Sequence, residues 1–136
     1  MRRLDVYFLL LAAMSLAAGV ILGIRMGISH DLQLMPVHAH LNLLGWASLA
    51  LFGLVYRAYP SLARARLAAV HFALAAVSAL AFPVGVALAV TNVTVAVAIV
   101  ASLLWLGGAV IFLANLVRLL AAPAAGPAAI AERMPA

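Results

Sequence analysis

Residues 67–90, LAAVHFALAAVSALAFPVGVALAV, and residues 93–116, VTVAVAIVASLLWLGGAVIFLANL, carry no charged side chain, and only Thr91-Asn92 parts them. A helix needs about 20 apolar residues to cross the hydrocarbon core of a bilayer. The pair therefore predicts two transmembrane helices joined by a very short turn. Toward the N-terminus, residues 6–24 form another such run, and residues 38–59 a less uniform one that opens on two histidines and Asn42. Composition agrees: 69% of the 136 residues are hydrophobic and 8% are charged, against roughly 25% charged in a soluble domain. The expected fold class is all-α, an integral membrane four-helix bundle over residues 1–120, with a flexible Pro/Ala/Gly-rich tail over 121–136.

Four spans put both termini on one side. Arg2, Arg3, Arg57, Arg64, Arg66, Arg118 and Arg133 fall on that side, and Arg25 alone on the other. Short cytoplasmic segments are enriched in arginine and lysine, so both termini are expected in the cytoplasm and the protein in a bacterial inner membrane. Residues 25–37 then form the first outer loop. A cleaved signal peptide is disfavoured, because the first apolar run continues through Val20-Ile21-Leu22, beyond any small-residue cleavage site. The absence of cysteine excludes disulfides, thiolate metal sites and covalent haem attachment. No basic stripe interleaved with aromatics is present, so no nucleic-acid partner is expected, and the expected surroundings are membrane lipid.

Ser15, Gly19, Gly23 and Gly27 recur every four residues on the first helix, a stripe that lets another backbone approach closely, in the same chain or in a neighbour. Gly107-Gly108 has the same potential on the fourth helix, and Pro83 predicts a bend in the third.

Polar side chains within spans are costly and are functional candidates for that reason. No Asp, Glu or Lys lies well inside a span, which weighs against a proton-coupled exporter. Histidine remains. His38-Ala39-His40 opens the second helix at its outer end, and at about 100° per residue the two imidazoles lie roughly 200° apart. One metal is not easily chelated by both; two sites, one on each flank, are. Asn42 shares the His38 face and is placed to hydrogen-bond the imidazole and set its tautomer. The plain alternative is a pair of interfacial histidines that wet the helix end. His71 lies near the cytoplasmic end of the third helix, at a different depth, and reads as a hydrogen-bonded structural residue. His30-Asp31 reads either as a solvated loop or, with His38 or His40, as a copper or zinc site. Arg25 either snorkels to the interface or pairs with an anionic group.

Residues 37–60, VHAHLNLLGWASLALFGLVYRAYP, resemble the tenth helix of the catalytic subunit of C-type haem–copper oxidases, where an HxH precedes LGW, FG, an aromatic and a terminal proline. His71-Phe72 matches the HFW-type start of the next helix in those enzymes, with Ala73 in place of the tryptophan. A similar HAH start occurs in NnrS-type haem-containing membrane proteins. The chain is identified as a short four-helix relative of the oxidase subunit. That resemblance implies haem b, with His38 matching the ligand of the high-spin haem and His40 that of the low-spin haem, Arg25 pairing a propionate, and copper as a further possibility. It implies electron transfer or handling of O2 or NO, oxidoreductase-like if catalytic, with a redox partner. The other eight helices of the large subunit have no counterpart, nor do its copper histidines or cross-linked Tyr–His pair. A homo-oligomer, with a trimer favoured by the pseudo-threefold arrangement of the large subunit, would bring His38 of one protomer and His40 of its partner to a shared haem. The rival readings are a copper- or zinc-binding membrane protein and a structural subunit without cofactor.

Reporter fusions test the topology: Arg64 and Ala136 should read cytoplasmic and Asp31 external, and an external C-terminus would overturn the four-span orientation.

Overall fold

A backbone surrounded by apolar side chains finds no water for its N–H and C=O groups, and the helix is the one local structure that satisfies them within a single segment. The computed structural model describes residues 3–121 and is all-helical, without a strand among the described residues. Helices α1 (Leu4–Ser29), α2 (Met35–Ala58), α3 (Arg66–Val90) and α4 (Ala96–Ala121) are each long and apolar enough to cross a membrane. A single turn, Pro60–Ala63, links α2 to α3. The predicted flexible tail lies outside the described residues, apart from Ala121, which closes α4.

Helix ends differ from the sequence expectation for local reasons. The first outer loop is shorter than expected, because α1 runs past Arg25 to Ser29 and stops where His30 takes the left-handed conformation at φ 55°. The Asp31 N–H then donates to Ser29 Oγ at 3.2 Å, and the Gln33 N–H to Asp31 Oδ1 at 3.0 Å. Pro36 sits in the first turn of α2, where its missing N–H costs nothing. Residues 93–95 are not helical: Asn92 has φ 59° and the Ala96 N–H donates to Thr94 Oγ1 at 3.2 Å, so α4 starts three residues later than the apolar run. The third helix continues through Pro83 without interruption.

Within α2, Leu41–Ser48 is π-helical, directly after the histidine pair. The i→i+5 pattern takes in Ser48, whose Oγ donates to Leu43 O at 2.9 Å. Such stretches are rare and gather at functional sites.

The helices pair as two hairpins that meet through α2 and α3. In the first, the small-residue stripe of α1 is filled by α2 of the same chain. A Cβ on Gly19 would stand 2.7 Å from Asn42 Nδ2, one on Gly23 2.9 Å from His38 Cε1, and one on Gly45 2.6 Å from Ser15 Cβ. Gly27 continues the stripe but meets nothing within 4 Å. In the second hairpin, Ser78 Oγ donates to Ala101 O at 2.6 Å, Gly108 faces His71 and Leu74, and Gly85 lies against the Ala98 backbone. The densest packing is aromatic and sits at the arginine-rich end, where Phe8, Tyr56 and His71 are buried and Phe52 stacks toward Phe112 at 4.7 Å. Outward positions are apolar on every helix: Ile21, Leu51, Leu80 and Leu103 are 68%, 61%, 62% and 63% exposed. Water is a poor solvent for such a surface and lipid a good one.

The tight α3–α4 approach makes a paired test. A Gly85→Ala methyl would meet Ala98 N at 2.5 Å and Ala98 Cα at 2.8 Å, backbone atoms that cannot swing aside, so a loss of about 1–3 kcal/mol is expected. Gly27→Ala, in open space, should leave stability level or raise it by up to about 1 kcal/mol. Thermal unfolding in detergent compares them, and equal effects would contradict the packing.

Candidate functional site

Met35–His40 is regular α-helix, so the two imidazoles leave α2 on opposite flanks, as their spacing requires. His38 turns to α1: its Nδ1 lies 2.8 Å from the Gly19 carbonyl oxygen, an approach that the missing side chains of Gly19 and Gly23 permit. His40 turns to α3, where its ring stacks on Phe82 with centroids 4.8 Å apart and 24° between planes. Its Nδ1 lies 2.6 Å from the Pro36 carbonyl oxygen. A carbonyl only accepts, so both rings donate from Nδ1, and in the neutral ring the Nε2 lone pair is the one left for a ligand bond. Both rings are half-buried.

Asn42 does share the His38 face, yet the tautomer is not its doing. Its Nδ2 donates at 2.8 Å to the His38 main-chain oxygen and stands at 3.5 and 3.4 Å from the two ring nitrogens, nearly equidistant. A donor so placed aims at neither lone pair well. The amide instead holds the carbonyl at the junction of the α and π segments, and the Gly19 carbonyl orients the ring.

Arg25 is exposed, two residues from Gly23 and therefore about 200° around α1 from the face that meets α2. Within one chain Arg25 therefore leaves α1 on a different face from the one that meets the His38 imidazole. His30 is exposed at the helix end, and the Asp31 carboxylate is engaged by the loop's own backbone. Among the described residues no group of three or more His, Cys, Asp or Glu side chains is close enough to hold a metal ion, so one chain brings no third protein donor of those types to a copper or zinc site.

His71 belongs to a separate polar cluster. Its Nδ1 is 2.9 Å from Tyr56 Oη, and Asn115 Nδ2 donates to the same oxygen at 3.3 Å. With Asn115 donating, the phenolic proton goes to His71 Nδ1, which puts the ring hydrogen on Nε2. That Nε2 and Asn115 Oδ1 are buried without a partner among the described residues. Phe8, Phe52 and Phe112 surround the imidazole at centroid distances of 5.2, 4.6 and 5.2 Å. Tyr56 lies sixteen residues beyond His40 on α2, over about 20 Å along the axis, so His71 is remote from the HxH pair. Sequence reasoning placed His71 correctly at another depth but did not pair it with Tyr56 and Asn115, which lie 15 and 44 residues away along the chain.

Comparison of the chain with models of known families, with curated proteins and with solved structures finds no match.

The buried cluster predicts a cost for removing one oxygen. Tyr56→Phe leaves His71 Nδ1 and Asn115 Nδ2 without their shared partner, and each unsatisfied buried group costs about 1–3 kcal/mol. Denaturation in mixed micelles should show a loss of about 2–6 kcal/mol, and an unchanged midpoint would mean that the hydroxyl does not hold the cluster.

Proposed function

We propose that this is a multi-pass protein of a bacterial inner membrane, with both termini cytoplasmic, that binds haem b through the imidazoles at the outer end of α2. Its role is electron transfer or the handling of O2 or NO. One observation carries the reading: His38 and His40 each tie Nδ1 to a main-chain carbonyl, at 2.8 and 2.6 Å. That is the arrangement in which ligating histidines are held, one nitrogen anchored to a carbonyl and the other presented to the metal. A histidine that merely wets a helix end has no need of a glycine-cleared carbonyl on a second helix. The π-helical stretch that follows, the arginine distribution and the likeness of residues 37–60 to the HxH helix of C-type oxidases support the same reading.

Bound haem supplies an iron centre that exchanges electrons, or takes up a diatomic ligand where its sixth position is open. The chain's own part is to hold the imidazoles. The Gly19 carbonyl fixes the His38 ring against α1, and Phe82 supports the His40 ring from α3. Each ring is half-buried on its own flank, so a second copy of the chain is needed to complete a site between His38 of one protomer and His40 of its partner. A homotrimer closes such contacts into identical sites. The stripe of Ser15, Gly19 and Gly23 is occupied within the chain, which leaves the outward apolar faces as the contact between copies. Arg25, on a different face of α1 from the one that meets His38, then meets a propionate held by a neighbour. A redox partner would reach these sites from the outer side.

The absorption spectrum of the purified protein tests this reading. A Soret band is expected, lost or strongly shifted in His38→Ala and in His40→Ala, and almost unchanged in His71→Ala. Co-expressing the His38→Ala and His40→Ala chains should partly restore the native spectrum, because mixed oligomers regenerate intact interfaces. Protein that takes up no haem when haem is supplied would sink the proposal, and haem fully retained by a demonstrated monomer would refute the shared site.

A further inference from the structure

At the end of the molecule away from the HxH pair, a cleft of about 490 Å³ opens between the start of α1, the end of α2 and the turn that follows it. Its walls are Arg3, Asp5, Tyr56, Arg57, Pro60, Ala63 and Arg64. We propose that this cleft seats the phosphate of an anionic phospholipid headgroup.

Charge comes first. Three arginines against one aspartate give the lining a formal charge of +2. The aspartate is committed: Arg57 Nη1 donates to Asp5 Oδ2 at 3.0 Å, with the Arg57 side chain 67% exposed and that of Asp5 16%. The inner carboxylate thus engages one guanidinium nitrogen, and the rest of the exposed Arg57 head keeps donors to offer a ligand. A guanidinium has five donors in a rigid fork, and phosphate oxygens match that fork in pairs. Arg3 and Arg64 are exposed at the rim.

Shape and position choose the source of the phosphate. The volume falls within the range of small-molecule sites, about 300–1,000 Å³. Tyr56, Pro60 and Ala63 give the cleft an apolar wall, suited to the glycerol and the first carbons of a diacyl lipid rather than to a bare ion. Tyr59, 48% exposed beside the cleft, is a residue type that settles at the membrane–water interface. About one to two turns further along the helices the exposed side chains are apolar, with Leu10 at 55%, Leu54 at 54% and Val70 at 46% exposed, so acyl chains have a surface to lie on. Basic pockets among membrane helices bind anionic headgroups by this combination. The proposal requires the helices to cross a bilayer, but not that the chain bind haem or face a given way.

The full chain, delipidated in neutral detergent, should bind phosphatidylglycerol about tenfold more tightly than phosphatidylcholine, as read by native mass spectrometry of lipid adducts. Arg3→Gln combined with Arg64→Gln should bring the two lipids to parity without lowering the thermal midpoint, since both side chains are exposed. Arg118→Gln, at the same end of the molecule but outside the cleft, should keep the preference. Equal binding of both lipids by the native chain overturns the proposal, and so does an Arg118→Gln effect as large as that of the cleft variant, which would reduce the preference to diffuse surface charge. Displacement of phosphatidylglycerol by equimolar inorganic phosphate overturns the lipid as the ligand.

Discussion

The contact on which the histidine end depends is the approach of α2 to α1 over two glycines. With no Cβ at Gly19 or Gly23, the His38 imidazole lies against the α1 backbone and donates to the Gly19 carbonyl at 2.8 Å. An α-helical carbonyl already accepts one intrahelical bond, and its second lone pair is free for a side chain that can come close enough. A side chain at position 23 would press on the ring itself, and one at position 19 on the Asn42 amide beside it. The same seam sets the Asn42 amide over the His38 carbonyl, where the backbone changes from α to π geometry. Helix spacing, ring orientation and backbone irregularity are thus one arrangement.

The two ends of the molecule divide their tasks. At the arginine-rich end, aromatic rings enclose Tyr56, His71 and Asn115, and the cluster ties α2, α3 and α4 together by hydrogen bonds that share a single phenolic oxygen. Two of its polar atoms are buried without a partner among the described residues, which is costly in an apolar setting. Such a cluster tolerates few alternative packings, so it fixes the register of three helices. At the other end the helices touch through small residues and half-buried rings. The fully buried hydrogen-bonded cluster thus lies away from the histidine pair, whose rings are half-buried against α1 and α3.

Much of this was legible in the residues. Four apolar runs with polar punctuation determine four helices, because only a helix satisfies the backbone in surroundings without water. The spacing of His38 and His40 determines that they point to opposite flanks of one helix, since 200° follows from helical geometry alone. The arginine at position 66 and the polar start of the second run place His71 at another depth than the HxH pair.

What the sequence could not decide is which surfaces meet. A stripe of small residues says that some backbone comes close, and only the tertiary structure shows that the backbone is α2 of the same chain. Asn42 lies four residues from His38, and its nearest good acceptor is the His38 carbonyl rather than the ring, a choice that no residue pattern announces. The pairing of Tyr56 with His71 and Asn115 spans 59 residues and exists because the packing of three helices brings those faces together. Local composition settles what each segment is; the close approach of helices settles what surrounds each histidine ring and which of its nitrogens a main-chain carbonyl holds.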